Sequence, residues 1–103
     1  MRIISRARLR EFWQAHATTR ASLKIWHEVV KQAEWNKPDD IKQTFGDSID
    51  IFKKCKKLVY IFDAGGNNVR VICDVNFKTK IVYILFVLTH NEYSKDRWKE
   101  KLC

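Results

Sequence analysis

The hydrophobic pattern of the chain changes period once, near Leu58, and that change limits the folds open to it. Before it, Leu9, Phe12, Trp13 and His16 recur at helical spacing. So do Leu23, Trp26, Val30 and Ala33, with Ile25 and Val29 widening the stripe. After it the period is two. Leu58, Tyr60 and Phe62 share one face of a strand, and Val59, Ile61 and Asp63 the other. Over 68–77, Val69, Val71, Cys73, Val75 and Phe77 alternate with Asn68, Arg70, Ile72, Asp74 and Asn76. The run Ile81 to Leu88 is apolar on both faces and should be central or covered on both sides. Helices followed by strands predict an α+β fold: two N-terminal helices packed on one face of a small antiparallel sheet, then a short C-terminal helix.

Arg2 to Ile4 reads as a short edge strand, with Ser5 as N-cap of a helix from about residue 6 to 16. Thr18-Thr19-Arg20 breaks that helix. A second should run from about Ala21 to Asn36, stopped by Lys37-Pro38, because the residue before proline resists helix. Asp39 and Asp40 can start a short turn of helix through Ile41 to Phe45. Gly65-Gly66-Asn67 signals a hairpin, and Lys78-Thr79-Lys80 a second tight turn. Thr89 should cap the terminal helix, which carries His90, Glu92 and Tyr93. The expectation is a three-stranded meander joined by an N-terminal edge strand. With no repeat or linker, and 103 residues, the span 1–103 reads as one domain.

Twenty Lys and Arg against twelve Asp and Glu leave a formal +8. On so small a surface that field favours a polyanion: nucleic acid, an anionic membrane surface or an acidic protein. The longest apolar run is too short to span a bilayer, and the N-terminus has no apolar signal-peptide core, so a soluble cytoplasmic protein without a membrane role is expected. Cys55, Cys73 and Cys103 form no CxxC and lie at no zinc-ligand spacing from a histidine, which predicts three free thiols and no metal site.

Three basic groups could converge on phosphates: Lys53, Lys54, Lys56 and Lys57 before the meander, Lys78 and Lys80 in its second turn, and Lys95 with Arg97, Lys99 and Lys101 at the C-terminus. The plainer alternative is a solvated surface. Arg70 sits mid-strand opposite the valine row, where its planar fork could clamp a phosphate or pair structurally with Asp63 or Asp74. His90 and Tyr93 are three apart on one helical turn. An imidazole and a phenol beside a basic cleft suit proton transfer, though a capping or packing histidine fits the same position. His16 and His27 read as structural or exposed. No P-loop, GxGxxG, HExxH, nucleophile elbow or aromatic RNA-binding sheet signature is present.

Several segments, in order, resemble the HigB family of type II toxins. They are Ile4-Ser5-Arg6-Ala7-Arg8-Leu9-Arg10-Glu11-Phe12-Trp13; Trp26 to Trp35 with Ala33-Glu34-Trp35; Gly66-Asn67-Asn68-Val69-Arg70; Ile81-Val82-Tyr83-Ile84; and Thr89-His90-Asn91-Glu92-Tyr93. Val69 stands where members commonly carry an aromatic residue, and Ser94 where they carry Asp. The resemblance implies a RelE-like fold and an endoribonuclease that cleaves mRNA, often on the ribosome. It also implies a helix-turn-helix antitoxin of the HigA type as partner. Transferred by motif, Arg70, His90 and Tyr93 would be catalytic, with no cofactor. The chemistry implied is metal-independent: an RNA 2′-OH attacks its adjacent phosphate. A non-catalytic basic nucleic-acid-binding module is the alternative function, and a domain binding only an acidic protein is a third.

Overall fold

A computed structural model of the chain describes residues 1–64 and 68–103. The elements run β1 (Arg2–Ile4), α1 (Ala7–Ala15), α2 (Arg20–Gln32), α3 (Pro38–Phe45), β2 (Ile49–Lys54), β3 (Lys57–Ala64), β4 (Val69–Asn76), β5 (Ile81–Thr89), α4 (His90–Ser94) and α5 (Arg97–Glu100). The strands form one sheet in the order β1-β5-β4-β3-β2. All neighbours are antiparallel except the edge pair β1–β5, which is parallel. The hairpin signal Gly65-Gly66-Asn67 lies outside the described residues.

The period-two alternation sorts side chains onto two faces. Tyr60, Phe62, Val69, Val71, Cys73, Val82 and Ile84 turn toward the N-terminal helices, where Leu9, Phe12, Leu23, Trp26, Val30 and Ile41 meet them. Phe62 is the hub of an aromatic group: Trp26 and Phe45 meet it edge-on, and Trp35 stacks on it. Val59, Ile61 and Ile72 turn the other way and are covered by Trp98 and Leu102 of the C-terminal segment. The sheet is therefore covered on both faces, by α1–α3 on one and by a short C-terminal strap on the other.

Four expectations change. The meander has a further strand, β2, so the sheet has five strands counting β1. Its turn into β3 is Cys55-Lys56, both at positive φ (53° and 65°), which is the mirror-image hairpin turn usually made by Asn-Gly. With neither residue type present, the sequence gives no turn signal there. Secondly, α2 stops at Gln32 rather than Asn36. Ala33 turns extended and Trp35 swings into the core, its Nε1 donating to Thr44 Oγ1 at 2.9 Å. The ammonium of Met1 donates to the Lys31 carbonyl at 3.1 Å and also to that of Ala33, satisfying the end of the helix. Thirdly, Ser5 adopts φ 70° and makes no side-chain cap for α1. Its carbonyl instead accepts from the Arg8 amide at 3.0 Å.

Lastly, Cys55 and Cys103 are joined in a disulfide, and only Cys73, fully buried, is free. The α4–α5 strap runs back along the sheet and brings the C-terminus to the β2–β3 turn, a proximity across 48 residues that spacing alone does not reveal. Among the described residues no helix is long and apolar enough to cross a membrane.

Closing a loop of 48 residues' separation removes chain entropy worth up to about 4 kcal/mol from the unfolded state. Cys103→Ser, or addition of reductant to the native chain, should lower the guanidinium midpoint accordingly. A midpoint that stays put in both would show that the strap is held by packing alone.

Candidate active site

Arg70 sits near the start of β4, directly across the ladder from Asp63 on β3. It is the one buried charged residue among the described residues, at 8% exposure. A buried guanidinium is stable only when paired. Its Nε donates to Asp63 Oδ1 at 2.8 Å, and one terminal nitrogen lies 3.3 Å from His90 Nδ1. The guanidinium also lies over the Tyr93 ring, 5.4 Å from its centre. Of the two acidic partners the sequence offered, Asp63 is the one paired.

His90 is the first residue of α4 and is exposed. Thr89 caps that helix as expected. Its Oγ1 accepts from the Glu92 amide at 3.1 Å while Glu92 Oε1 accepts from the Thr89 amide at 3.2 Å. The His90 amide donates to the Asn68 carbonyl at 3.1 Å. The imidazole is thus set on a backbone pinned at two points, where β5 ends beside the start of β4. A groove of about 880 Å³ opens beside it on the helical side, with His16, Ile25 and Trp26 among its walls. His16 stacks on Phe12 at 4.3 Å, and His27 is half-buried with its pKa lowered, mainly by burial and then by Arg6.

Tyr93 faces Arg70 on one side and stacks on Trp98 at 5.5 Å, nearly parallel at 14°. Trp98 Nε1 donates back to the Tyr93 carbonyl at 3.1 Å, and Phe52 meets Trp98 edge-on. Trp98, unmarked by the sequence reading, is therefore the support on which Tyr93 rests. Its signal was a lone large aromatic in an otherwise charged tail. Burial, then the charge of Asp50, pushes the Tyr93 phenol above its ordinary 10, with Arg70 opposing.

The lysines do not converge on this cluster. Lys53, Lys54, Lys56 and Lys57 surround the β2–β3 turn, six residues along β3 from Asp63 and hence about 20 Å away. Lys54 donates to the Lys99 carbonyl at 3.2 Å. Lys78 and Lys80 occupy the β4–β5 turn at that same far end. Lys80 is tied into the fold, donating to the Trp35 carbonyl at 2.9 Å and to Asn36 Oδ1. Lys95 is exposed and two residues past Tyr93, which makes it the basic residue nearest the cluster along the strap.

Residues 19–96 match the family model described as HigB_toxin, RelE-like toxic component of a toxin-antitoxin system. The chain is 33% identical over 95 residues to an mRNA interferase HigB of Escherichia coli O6:H1, covering 92% of this chain and 90% of that protein. It is 31% identical over 93 residues to the mRNA interferase toxin HigB of Escherichia coli K12, covering 90% and 88%. An mRNA interferase HigB of Shigella flexneri matches at 31% over the same length.

A phenol with a raised pKa is held protonated by the fold, and that contribution to stability is lost as pH climbs from about 10 through the raised value. Absorbance titration of the wild type minus Tyr93→Phe should therefore show Tyr93 ionising above pH 10. Ionisation at or below that pH would contradict the half-buried position of the phenol.

Proposed function

The chain belongs to the HigB family of RelE-like toxins, components of toxin–antitoxin systems with an antitoxin as partner, and from that premise we propose that it is an endoribonuclease that cleaves mRNA at the cluster of Arg70, His90 and Tyr93. The observation that carries the reading is the meeting of those three side chains, from β4 and the β5–α4 junction, around one guanidinium. They are also the residues singled out by motif.

The RNA 2′-OH attacks the adjacent phosphorus and gives up its proton to solvent, the P–O5′ bond breaks, and the products are a 2′,3′-cyclic phosphate and a 5′-oxygen that takes up a proton. Because the nucleophile belongs to the substrate, the protein's task is to align it, stabilise the added phosphate charge and move protons. Arg70 has N–H groups beyond those pointed at Asp63 and His90, and these hold the phosphate. His90, exposed on its pinned turn, exchanges the proton. Tyr93, kept protonated, orients the nucleotide by stacking or hydrogen bonding. Lys95 adds charge beside the scissile phosphate. The lysines of residues 53–57 and Lys78 hold RNA backbone farther along and contribute affinity rather than chemistry. The antitoxin is of the helix-turn-helix HigA type, and the site of action is cytoplasmic mRNA, on the ribosome. In such a reducing compartment the Cys55–Cys103 bond is open to reduction.

His90→Ala should lower RNA cleavage about a hundred- to ten-thousandfold while the melting temperature stays near wild type, since the imidazole is exposed. A variant that folds like wild type and cuts at the wild-type rate would remove His90 from the chemistry. If the protein binds RNA but the wild type yields no cut product, the binding-module alternative stands instead.

RNA affinity should fall steeply with salt, each neutralised phosphate adding roughly 0.7 to the slope of log K against log salt. A flat dependence would separate the excess of basic residues from RNA binding.

A further inference from the structure

We propose that Asp63 is a positioning residue for the RNA-cleaving reaction. Through Arg70, it sets which ring nitrogen of His90 carries the proton and so makes that imidazole a hydrogen-bond donor toward the substrate. The inference deepens the functional reading above and rests on it for the word substrate, but its core is a statement about the resting site.

A guanidinium has only N–H donors and no acceptor. Where its terminal nitrogen approaches His90 Nδ1 at 3.3 Å, that nitrogen must supply the lone pair. The proton of the neutral ring is then on Nε2, the nitrogen on the far side of the ring from Arg70. In an imidazole the hydrogen bond made by one nitrogen fixes the state of the other. As built, the ring offers Nε2–H to whatever lies beyond it. It can donate to a phosphoryl oxygen or to the departing 5′-oxygen, and it has no free lone pair there with which to take the proton of the 2′-OH.

The guanidinium needs an anchor to hold that aim. Arginine has several rotatable bonds, and the Tyr93 face beneath it fixes a plane but not a direction within it. Asp63 supplies the direction. Its Oδ1 takes the Nε–H at 2.8 Å from the facing position of the ladder, which leaves a terminal N–H pointed along the strand ends toward His90. Three elements therefore meet in one relay: β3 gives the carboxylate, β4 the guanidinium, and the β5–α4 junction the imidazole. Asp63 makes no step of the chemistry itself. It acts as the carboxylate of a hydrolytic triad acts, by choosing a tautomer, except that here an arginine stands between carboxylate and imidazole.

The test is a ¹H–¹⁵N long-range correlation spectrum of the full chain, ¹⁵N-labelled at histidine, recorded without RNA above the imidazole titration range. His90 is assigned by the signals missing from His90→Ala. In the wild type the spectrum should show His90 protonated at Nε2 with a lone pair on Nδ1. In Asp63→Ala and Asp63→Val, which offer no acceptor for the Nε–H, the two tautomers should mix, and kcat for RNA cleavage should fall about ten- to a hundredfold with a smaller change in KM. Val suits the strand and serves if Asp63→Ala does not fold, while Asp63→Asn keeps an acceptor for the Nε–H and should hold the wild-type tautomer. A wild-type His90 carrying its proton on Nδ1 overturns the proposal without any variant. So does a folded Asp63→Ala or Asp63→Val whose tautomer and kcat both match wild type. A protein with the expected tautomer that cuts no RNA overturns the functional reading alone, because the ring nitrogens are read in the absence of substrate.

Discussion

A guanidinium buried beneath a sheet face has to be paired, and the pairing of Arg70 organises the end of the molecule that matters. Asp63 answers it across the β3–β4 ladder, His90 at the end of β5, and Tyr93 from α4. Asp63 is the charged partner among them, so removing that carboxylate leaves the buried charge uncompensated. At that pair stability and site geometry are the same contact, and the side chains of the candidate site are held by strand ends and a capped helix rather than by a free loop.

From that point a second chain of contacts runs the length of the sheet. Arg70 lies on Tyr93, Tyr93 on Trp98, and Trp98 against Phe52, with Lys99 over the Phe52 ring at 4.6 Å. Trp98 and Leu102 bury Val59, Ile61 and Ile72, and Cys103 closes the strap onto Cys55. The C-terminal residues thus do two things at once. They cover the apolar side of the sheet that the N-terminal helices leave open, and they fix the platform under Tyr93.

The faces of β3 and β4, the edge strand Arg2–Ile4 and the Thr89 cap were legible in the sequence because each follows from a local rule: alternation, a short apolar run, a capping box. What stayed hidden depends on partners far along the chain. β2 escaped because its turn uses Cys55 and Lys56 at positive φ in place of Asn and Gly. The early end of α2 escaped because Trp35 turns into the core and stacks on Phe62, a partner far along the chain. The disulfide escaped because sequence spacing is silent on a C-terminus that doubles back. In the site, Arg70, His90 and Tyr93 could be named in advance, and Asp63 only as one of two partners. The wide separation of Lys53–Lys57 and Lys78 from that cluster required the sheet register.

The central claim is that this cluster cuts RNA by attack of the substrate's own 2′-OH. It is tested most directly by the chemistry of the product ends. RNA treated with the purified chain in the presence of chelator, then analysed by mass spectrometry, should carry 2′,3′-cyclic phosphate on the upstream fragment and 5′-hydroxyl on the downstream one. Fragments bearing 3′-hydroxyl and 5′-phosphate would mean that water or another nucleophile attacks instead, and would contradict the account.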